Sequence, residues 1–311
     1  MSFLSVAGVC VLAVLLDAVL GEPRRAHPLV GFGRAAQWLE LHLNAGVTRG
    51  GIARGAFAMG VLVTPPTLSA WWLSCALSSE LLFFVQVMGL WLALALRSLS
   101  EHGQAVARPL IAGDLARARE QVARIVSRDT QSLDHQGVAK AATESMLENG
   151  ADAVFASLFW FVLAGLPGVV LHRTVNTLDA MWGYRTERFE KFGKAVARVD
   201  DLLNWCPARL TALTYCLCGH SRNAWQCWRS QARQCESPNA GPVMAAGAGA
   251  LRVTLGGGAP YHGGWKERPV LGMGDEASGA SIVGAITLVR RGVLLWLVSL
   301  SLSGILFYAM F

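Results

Sequence analysis

Charged residues are scarce in this chain. They make up 15% of its 311 residues, whereas about 25% is usual in a soluble domain. Hydrophobic residues make up 53%. This balance argues against an ordinary soluble globular protein and favours a multi-span membrane protein.

Several signatures of common catalytic sites are also absent. The chain has no G-x-x-x-x-G-K-[ST] segment, which excludes a Walker-type phosphate loop. GFGRAA, from Gly31, matches G-x-G-x-x-A but lacks the strand and helix that flank a dinucleotide site. The seven cysteines include no C-x-x-C pair, which argues against zinc, and no nucleophilic Ser or Cys/His pattern is present. The net charge of +6 agrees with basic inner loops, so nucleic acid is not expected as a partner.

Five apolar runs are close to the roughly 17 to 25 residues that a membrane-spanning helix needs. They cover residues 3–20, 56–73, 81–96, 153–171 and 293–311. The first has no basic start and no small-residue cleavage site after it, so we expect a retained anchor. Pro65 and Pro66 predict a kink or an interfacial hairpin in the second. The chain is therefore predicted to be an all-α polytopic membrane protein with about four to six membrane segments, forming one domain over residues 1–311.

The distribution of Lys and Arg predicts the orientation. The first connection carries Arg24, Arg25, Arg34, Arg49 and Arg54. The second carries only Glu80, so the positive-inside rule places the first connection in the cytoplasm. A full crossing by residues 153–171 would leave the basic stretch 172–291 outside. The AGLPG turn signal in this run predicts a re-entrant or interfacial hairpin instead, or else a second return pass through 210–218. The last helix, after Arg291, then leaves the C-terminus outside.

Two cytoplasmic polar regions follow from this topology, 97–152 and 172–291. In the first, Asp114 and Asp134 are predicted helix N-caps, and the second helix runs from His135 to about Gly150. The carboxylates on that helix recur every four residues and share one face. They are Glu144, Glu148 and Asp152. Such a face requires a positive group opposite it. It is either a surface balanced by arginines or a magnesium site, because Mg²⁺ takes one or two carboxylates plus phosphate oxygens.

The second polar region mixes carboxylates, amides and guanidinium groups. Its two densest segments are HRTVNTLDAMWGYRTERFEKFG and ARVDDLLNWCPARL. Arg binds phosphate oxygens bidentately and Asp binds cations, so this pattern suits a phosphate-and-metal pocket; ordinary ion pairs are the alternative. The Gly- and Ala-rich stretch 237–258 either brings backbone N–H groups to an anion or packs closely at a helix interface. The following PYHGGWKERP is predicted to be a loop.

Six segments together resemble a known family. They are DAVLGEPRRAHPLVGFGR, SRDTQSLD, ATESMLENGADAV, RTVNTLDAMWGYRTERFEKFGKAVARVDDLLNWCPARLTAL, SPNAGPVMA and YHGGWKERP. Their order and spacing over residues 17–291 resemble the adenosylcobinamide-phosphate synthase family of cobalamin biosynthesis, the CobD/CbiB family. The resemblance implies a multi-pass enzyme of the cell inner membrane whose site faces the cytoplasm. It also implies that adenosylcobyric acid is joined to (R)-1-amino-2-propanol O-2-phosphate, or to the free aminoalcohol, in an amide bond, with ATP and Mg²⁺.

The resemblance gives the polar residues expected roles. ATP must activate the corrinoid carboxylate before the amine attacks, so clamping and positioning replace a protein nucleophile. The expected catalytic residues are Asp179, which accepts the ammonium proton, and Arg185, Asp201 and Asn204. The expected substrate- and nucleotide-binding residues are Asp129, Thr130, Asn149, Asn176, Tyr184, Arg198, Arg209 and Asn239. The expected metal ligands are Glu144, Glu148 and Asp152, or Asp200 with Asp201.

The chain departs from the family pattern at two places. ENGADA stands where ENTSDG is expected, and SPNAGPVMA lacks the Trp that usually follows its Gly. Every carboxylate remains, so the departures concern the fine positioning of substrate. A non-enzymatic membrane sensor and a corrinoid transporter are the alternative functions. A sensor would have lost the polar segments, which this chain retains. A transporter would carry ionisable residues inside its spans, and here only Asp17 lies near one. The expected partners are the two substrates and the lipid bilayer, with a homo-oligomer or a complex with other pathway enzymes left open.

Overall fold

The computed structural model describes residues 3–23, 27–44, 51–261 and 264–310. Arg24, Arg25 and Arg49, on which part of the orientation argument rests, lie outside these residues. The helices within them are α1 Phe3–Leu20, α2 Pro28–Leu43, α3 Gly51–Ala76, α4 Ser79–Ala93, α5 Leu96–Ile111, α6 Leu115–Val122, α7 His135–Gly150, α8 Ala156–Trp182, α9 Lys194–Cys218, α10 Ser221–Gln231, α11 Ala240–Leu251 and α12 Gly279–Met310. A π-helical turn, Ala151–Phe155, joins α7 to α8. The all-α prediction is confirmed.

Five short strands accompany the helices in the described residues. They are β1 Val253–Gly256, β2 Ala259–Tyr261, β3 Gly264–Lys266, β4 Val270–Gly272 and β5 Asp275–Glu276. β1 pairs antiparallel with β4 and parallel with β5, and β2 pairs antiparallel with β3. The prediction that PYHGGWKERP is only a loop is therefore wrong, because parts of it form β2 and β3.

Four helical runs of the described chain are long and apolar enough to cross a membrane. They are Gly51–Ala76, Ser79–Ile111, His135–Trp182 and Gly279–Met310. These runs make the chain a multi-pass membrane protein, and the first apolar stretch forms the shorter helix α1. The interfacial-hairpin alternative at Pro65 and Pro66 is wrong, because α3 continues through both prolines. The last helix starts at Gly279, so the prediction that it starts after Arg291 is also wrong.

The predicted turn at AGLPG is present inside α8. Gly165 has φ +62° and ψ −149°, which is not helical. A Cβ on Gly168 would lie 2.5 Å from the carbonyl oxygen of Trp160, although eight residues of straight helix would separate the two by about 12 Å. The two halves of α8 therefore fold back on each other at Gly165, which confirms the turn. The other alternative, residues 210–218, lies in α9, which is not among the four runs.

Gly165 is expected to tolerate no side chain. Its φ/ψ pair is one that only glycine adopts without strain, so Gly165→Ala should destabilise the protein by about 1–3 kcal/mol. The measurement is denaturant unfolding of the purified protein in detergent. The control is Gly60→Ala in α3, where a Cβ would meet nothing within 4 Å and helix propensity favours Ala. Equal losses of stability in the two variants would contradict the assigned turn.

Contacts divide the chain into two compact units. The first unit contains Met1–Ala95, Ala156–Asn204 and Leu300–Phe311, and the second contains Leu96–Phe155 and Trp205–Ser299. The sequence predicted one membrane domain over 1–311 with cytoplasmic regions at 97–152 and 172–291, and those boundaries stay predictions.

In the first unit, one face of α8 is buried against α3. Val175, Leu178 and Trp182 recur at steps of three and four residues and lie in a core that also holds Phe192. Gly55 of α3 packs directly on the backbone of Phe192, so a Cβ there would collide with the Phe192 carbonyl oxygen. Because one face of α8 is used for this core, its polar residues lie on the remaining face.

In the second unit, the two predicted N-caps are confirmed. Asp114 accepts a hydrogen bond from Arg117 N at 3.0 Å, and Asp134 accepts one from Gly137 N at 2.7 Å. The Gly- and Ala-rich stretch forms α11, which is almost wholly buried and packs on α10. A Cβ on Gly249 would lie 2.6 Å from Asn223 O. The small residues of α11 therefore pack closely, but against α10, which is not among the four membrane-length runs.

Candidate functional site

Glu144 is the centre of a buried ion-pair network in the second unit. Its Oε2 accepts hydrogen bonds from Arg128 Nη2 and Arg268 Nη1, each at 2.7 Å. Its Oε1 accepts a hydrogen bond from Gly256 N, also at 2.7 Å. The Glu144 side chain is 3% exposed, so these charge-assisted bonds replace its lost hydration. Arg128 and Arg268 are therefore the positive groups that the acidic face of α7 was predicted to require.

The partners of Glu144 come from three segments of the chain. Arg128 follows α6, Gly256 ends β1, and Arg268 lies between β3 and β4. Gly256 has φ +69°, and a Cβ at this position would collide with Pro269 O. Glycine is therefore needed for β1 to present this N–H to the carboxylate. An anion contact for the backbone N–H groups of residues 237–258 was one of the two alternatives, and at Gly256 the anion is the carboxylate of Glu144.

The acidic face of α7 is arranged poorly for a metal ion. Three donors occupy both oxygens of Glu144. Glu148, one turn further on, lies within electrostatic reach of Glu144 and the two arginines. Asp152 lies in the π-helical turn. The four-residue spacing from Glu148 assumed a continuous α-helix, so it does not place Asp152 on the same face. Across the described ranges, no three His, Cys, Asp or Glu side chains are close enough together to form a metal site on their own, and this holds for Asp179, Asp200 and Asp201 as well.

Three predicted binding residues of the second unit are either buried or hydrogen-bonded to neighbours in their own segments. The carboxylate of Asp129 accepts hydrogen bonds from Gln131 N at 3.0 Å and from Ser132 Oγ at 3.4 Å. Thr130 is buried beside it. Asn149 is exposed and donates to Ser145 O at 2.9 Å and to Ser145 Oγ at 3.0 Å. Asp129 and Thr130 therefore belong to the turn that carries Arg128.

Arg209 and Asn239, both predicted binding residues, are in contact. Arg209 Nη1 donates to Asn239 Oδ1 at 3.0 Å and to Trp205 O at 2.7 Å. Its Nη2 donates to Pro238 O at 3.1 Å, and the guanidinium lies 4.3 Å from the centroid of the Trp205 ring. Arg209 thus ties the SPN loop to α9.

Asp200 is the centre of a second polar cluster, in the first unit. Asn204 Nδ2 donates to Asp200 Oδ2 at 2.9 Å, and Asn176 Nδ2 donates to Asp200 Oδ1 at 3.4 Å. Burial raises the pKa of Asp200, the two amides oppose that effect, and the charge of Asp201 adds to it. The net result is a pKa above the usual range for Asp.

Asp179 and Asp201 complete this cluster. Asp179 lies close enough to Asp200 and Asp201 to interact with their charges. In the described part of the chain its carboxylate accepts no hydrogen bond. Burial raises the pKa of Asp201, and the neighbouring Arg185 partly offsets the rise. The structure therefore brings together three carboxylates, two amides and a guanidinium that the sequence had proposed for the site.

The turn segment 183–193, which carries Arg185, is anchored to α2. Arg188 Nε lies 3.0 Å from Glu40 Oε1, and Arg188 Nη2 lies 2.6 Å from Glu40 Oε2. Asn44 Nδ2 donates to Glu40 Oε1 at 2.7 Å. This bidentate pair fixes the segment at one point. Tyr184, Arg185 and Arg198 are exposed, so their side chains are accessible from solvent.

The stability provided by Glu40 should depend on pH. Burial alone would raise the pKa of Glu40, but Arg188 and Asn44 outweigh it and hold the pKa of this carboxyl below its usual range. A lowered carboxyl pKa stabilises the fold above the unfolded pKa, and that stability is lost as the pH falls through the folded pKa. The difference in unfolding free energy between wild type and Glu40→Gln should therefore shrink below about pH 5. Denaturant unfolding at a series of pH values measures it, with the exposed Glu190→Gln as control. A difference independent of pH would contradict the assignment.

Three residues of these clusters were missed from the sequence. Arg128 and Arg268 lie in segments that were singled out, and the need for a positive group facing Glu144 was the available signal. His172 is fully buried, and its Nε2 lies 3.0 Å from Asn204 Oδ1. Its signal is weaker, because it is one histidine at the end of an apolar run.

The chain is similar to known proteins over nearly its full length. A family model described as CobD/Cbib protein matches residues 10–289. The chain is 57% identical over 305 residues to the cobalamin biosynthesis protein CobD of Stutzerimonas stutzeri, covering 98% of this chain and 99% of that one. It is 55% identical to the protein of the same name from Chromobacterium violaceum, covering 92% of each. It is 39% identical to that of Mycobacterium tuberculosis, covering 89% and 88%. No solved structure matches the chain. The chain belongs to the CobD/CbiB family.

Proposed function

We propose that this chain is an adenosylcobinamide-phosphate synthase. It would join the free carboxylate of adenosylcobyric acid to (R)-1-amino-2-propanol O-2-phosphate, or to the free aminoalcohol, and convert ATP to ADP and phosphate. Its place in the family and the names of its relatives as cobalamin biosynthesis proteins support a role in this pathway. The observation that carries the proposed reaction is the Asp179, Asp200 and Asp201 cluster, which lies beside the exposed Arg185.

This cluster fits a magnesium ion that is bound to a nucleotide. Mg²⁺ needs only one or two protein carboxylates when phosphate oxygens and water supply its other ligands. Two amides orient Asp200, and a cation would relieve the repulsion among the three carboxylates. Asp200 and Asp201 would hold the ion, and the ion would neutralise charge on the phosphates. Glu144 fits this role less well, because three donors already occupy its carboxylate.

The remaining polar residues of the first unit would bind and orient the substrates. Arg185 and Arg198 are exposed cations that can bind phosphate or carboxylate oxygens, and the exposed Tyr184 directly precedes Arg185 in the sequence. Asp179, whose carboxylate accepts no other hydrogen bond in the described chain, would take the ammonium proton as the amide forms. No protein nucleophile is required. In this scheme catalysis comes from positioning and charge neutralisation.

The residues of the second unit have other proposed roles. The Glu144 network would hold the turn with Asp129 and Thr130 and the strand β1 in fixed positions. The binding roles of Asn149, Arg209 and Asn239 stay predictions. Glu148 and Asp152, which the sequence predicted as metal ligands, would hold no metal in this scheme. We also propose that the protein lies in the cell inner membrane with its site facing the cytoplasm, where ATP is available, and its C-terminus outside. A lipid bilayer is its expected surrounding.

The reaction is tested with the purified full chain in lipid nanodiscs. Adenosylcobyric acid, ATP, Mg²⁺ and either form of the amine are added, and the amide product is detected by mass spectrometry. Hydrolysis of ATP should require both the corrinoid and the amine. Two results would overturn the proposal in favour of a transporter or a sensor. One is ATP hydrolysis without formation of the amide product, and the other is corrinoid binding with neither ATP hydrolysis nor amide product.

A further inference from the structure

A ladder of polar side chains joins α8 to α9 in the first unit. His172 and Asn176 are four residues apart on α8, and Asp200 and Asn204 are four residues apart on α9, so each pair lies on one helix face. His172 Nε2 lies 3.0 Å from Asn204 Oδ1, and Asn176 Nδ2 lies 3.4 Å from Asp200 Oδ1. The pairing of 172 with 204 and of 176 with 200 shows that the two faces meet in antiparallel register.

The hydrogen bonds fix the direction of this ladder. Asp200 is a carboxylate, so Asn204 must turn its NH₂ group toward Asp200 Oδ2, where the distance is 2.9 Å. Asn204 Oδ1 then faces His172 and can only accept, which makes His172 Nε2 the donor. A reversed Asn204 amide would place its oxygen against the Asp200 carboxylate, and two acceptors repel each other. The Nε2–H tautomer of His172 therefore matches and supports the Asn204 orientation that serves Asp200.

The burial of His172 shows that this arrangement has a cost. The residue is 0% exposed, and its Nδ1 is buried with no hydrogen-bond partner among the described residues. A buried polar atom without a partner destabilises a fold by about 1–3 kcal/mol. An apolar residue of similar size would avoid that cost but would leave Asn204 without its donor.

We propose that His172 is a positioning residue for Asp200, acting through Asn204 to hold the carboxylate in the orientation that binds a metal-nucleotide complex. The inference rests on the proposed function, because it concerns the ligand assigned to Asp200. Groups that hydrogen-bond a metal ligand commonly change metal affinity by about 10- to 100-fold when they are removed.

The test uses a pair of substitutions of nearly equal shape. His172→Gln keeps an N–H donor that can reach Asn204, and His172→Met removes it. Mn²⁺ serves as the probe, in the presence of a non-hydrolysable ATP analogue, and its binding to the full chain in nanodiscs is followed by electron paramagnetic resonance. His172 acts on Asp200 through Asn204, so we expect His172→Met to weaken Mn²⁺ binding by about 10-fold, the low end of the range for a group bonded to the ligand itself. His172→Gln should weaken it by less than about threefold. In turnover, the Met variant should raise the KM for Mg²⁺ more than it lowers kcat.

A control separates positioning from general stability. His27→Leu removes another histidine of the first unit, whose Nε2 lies 3.2 Å from Leu92 O. It should lower the unfolding midpoint and leave the Mn²⁺ dissociation constant unchanged. Unchanged Mn²⁺ binding in a folded His172→Met variant would overturn the inference and leave the proposed function standing. If His172→Met does not fold, Mn²⁺ binding by His172→Gln tests the inference. This variant keeps the N–H donor, so loss of Mn²⁺ binding in it also overturns the inference. A wild-type chain that binds no Mn²⁺ with the analogue would overturn both.

Discussion

Replacing Glu144 with Gln is expected to destabilise the folded protein by about 3–5 kcal/mol. The substitution preserves shape but removes the charge shared by Arg128 and Arg268, whose side chains are 10% and 17% exposed. Two buried guanidinium groups would then face a neutral amide. The amide NH₂ also replaces one of the accepting oxygens, so at least one of the three hydrogen bonds turns repulsive. Chemical unfolding of the purified protein in detergent measures the loss.

The matched control for this prediction is the exposed ion pair in the same unit. Lys266 Nζ lies 2.9 Å from Glu236 Oε2, and the two side chains are 49% and 72% exposed. Glu236→Gln should change stability by no more than about 1 kcal/mol, because solvent screens an exposed pair. If both variants lose the same stability, the Glu144 network is not the buried anchor described here.

Much of the fold was predictable because its signals are local. The caps at Asp114 and Asp134 each depend on a hydrogen bond to a backbone N–H three residues away. The turn at Gly165 follows from the Gly and Pro content of five residues. The start of α12 was missed because Arg290 and Arg291 were taken as a boundary. Charges limit a membrane crossing, but they do not end a helix whose backbone bonds continue.

The partners of Glu144 were not predictable for the opposite reason. They lie 16, 112 and 124 residues away in the sequence. The four-residue spacing of the carboxylates indicated that a cation must face them, but which cation depends on how β1 and the segment before β4 pack. Two short strands in PYHGGWKERP were missed because three residues are too few to show an alternating pattern.

The sequence also left open which acidic cluster would hold the proposed metal ion, and the Asp200 cluster suits it better for a physical reason. Glu144 has both oxygens occupied by cationic or backbone donors, so binding a metal would break an existing network. Among the described residues, Asp200 accepts hydrogen bonds only from neutral amides, and it lies near two further carboxylates. A cation is repelled by the first environment and attracted by the second.

Asp200→Asn is therefore expected to reduce formation of the amide product by about 100-fold or more, because it removes charge from the proposed metal position. The Mg²⁺ concentration for half-maximal rate should rise as well. Glu148→Gln, in the acidic face of α7, should leave this Mg²⁺ dependence unchanged, and the exposed Glu190→Gln should keep wild-type activity. Rates are measured by mass spectrometry of the product over a Mg²⁺ series, on variants with wild-type unfolding midpoints. The opposite pattern, with Glu148→Gln shifting the Mg²⁺ dependence and Asp200→Asn leaving it unchanged, would move the metal from Asp200 to α7.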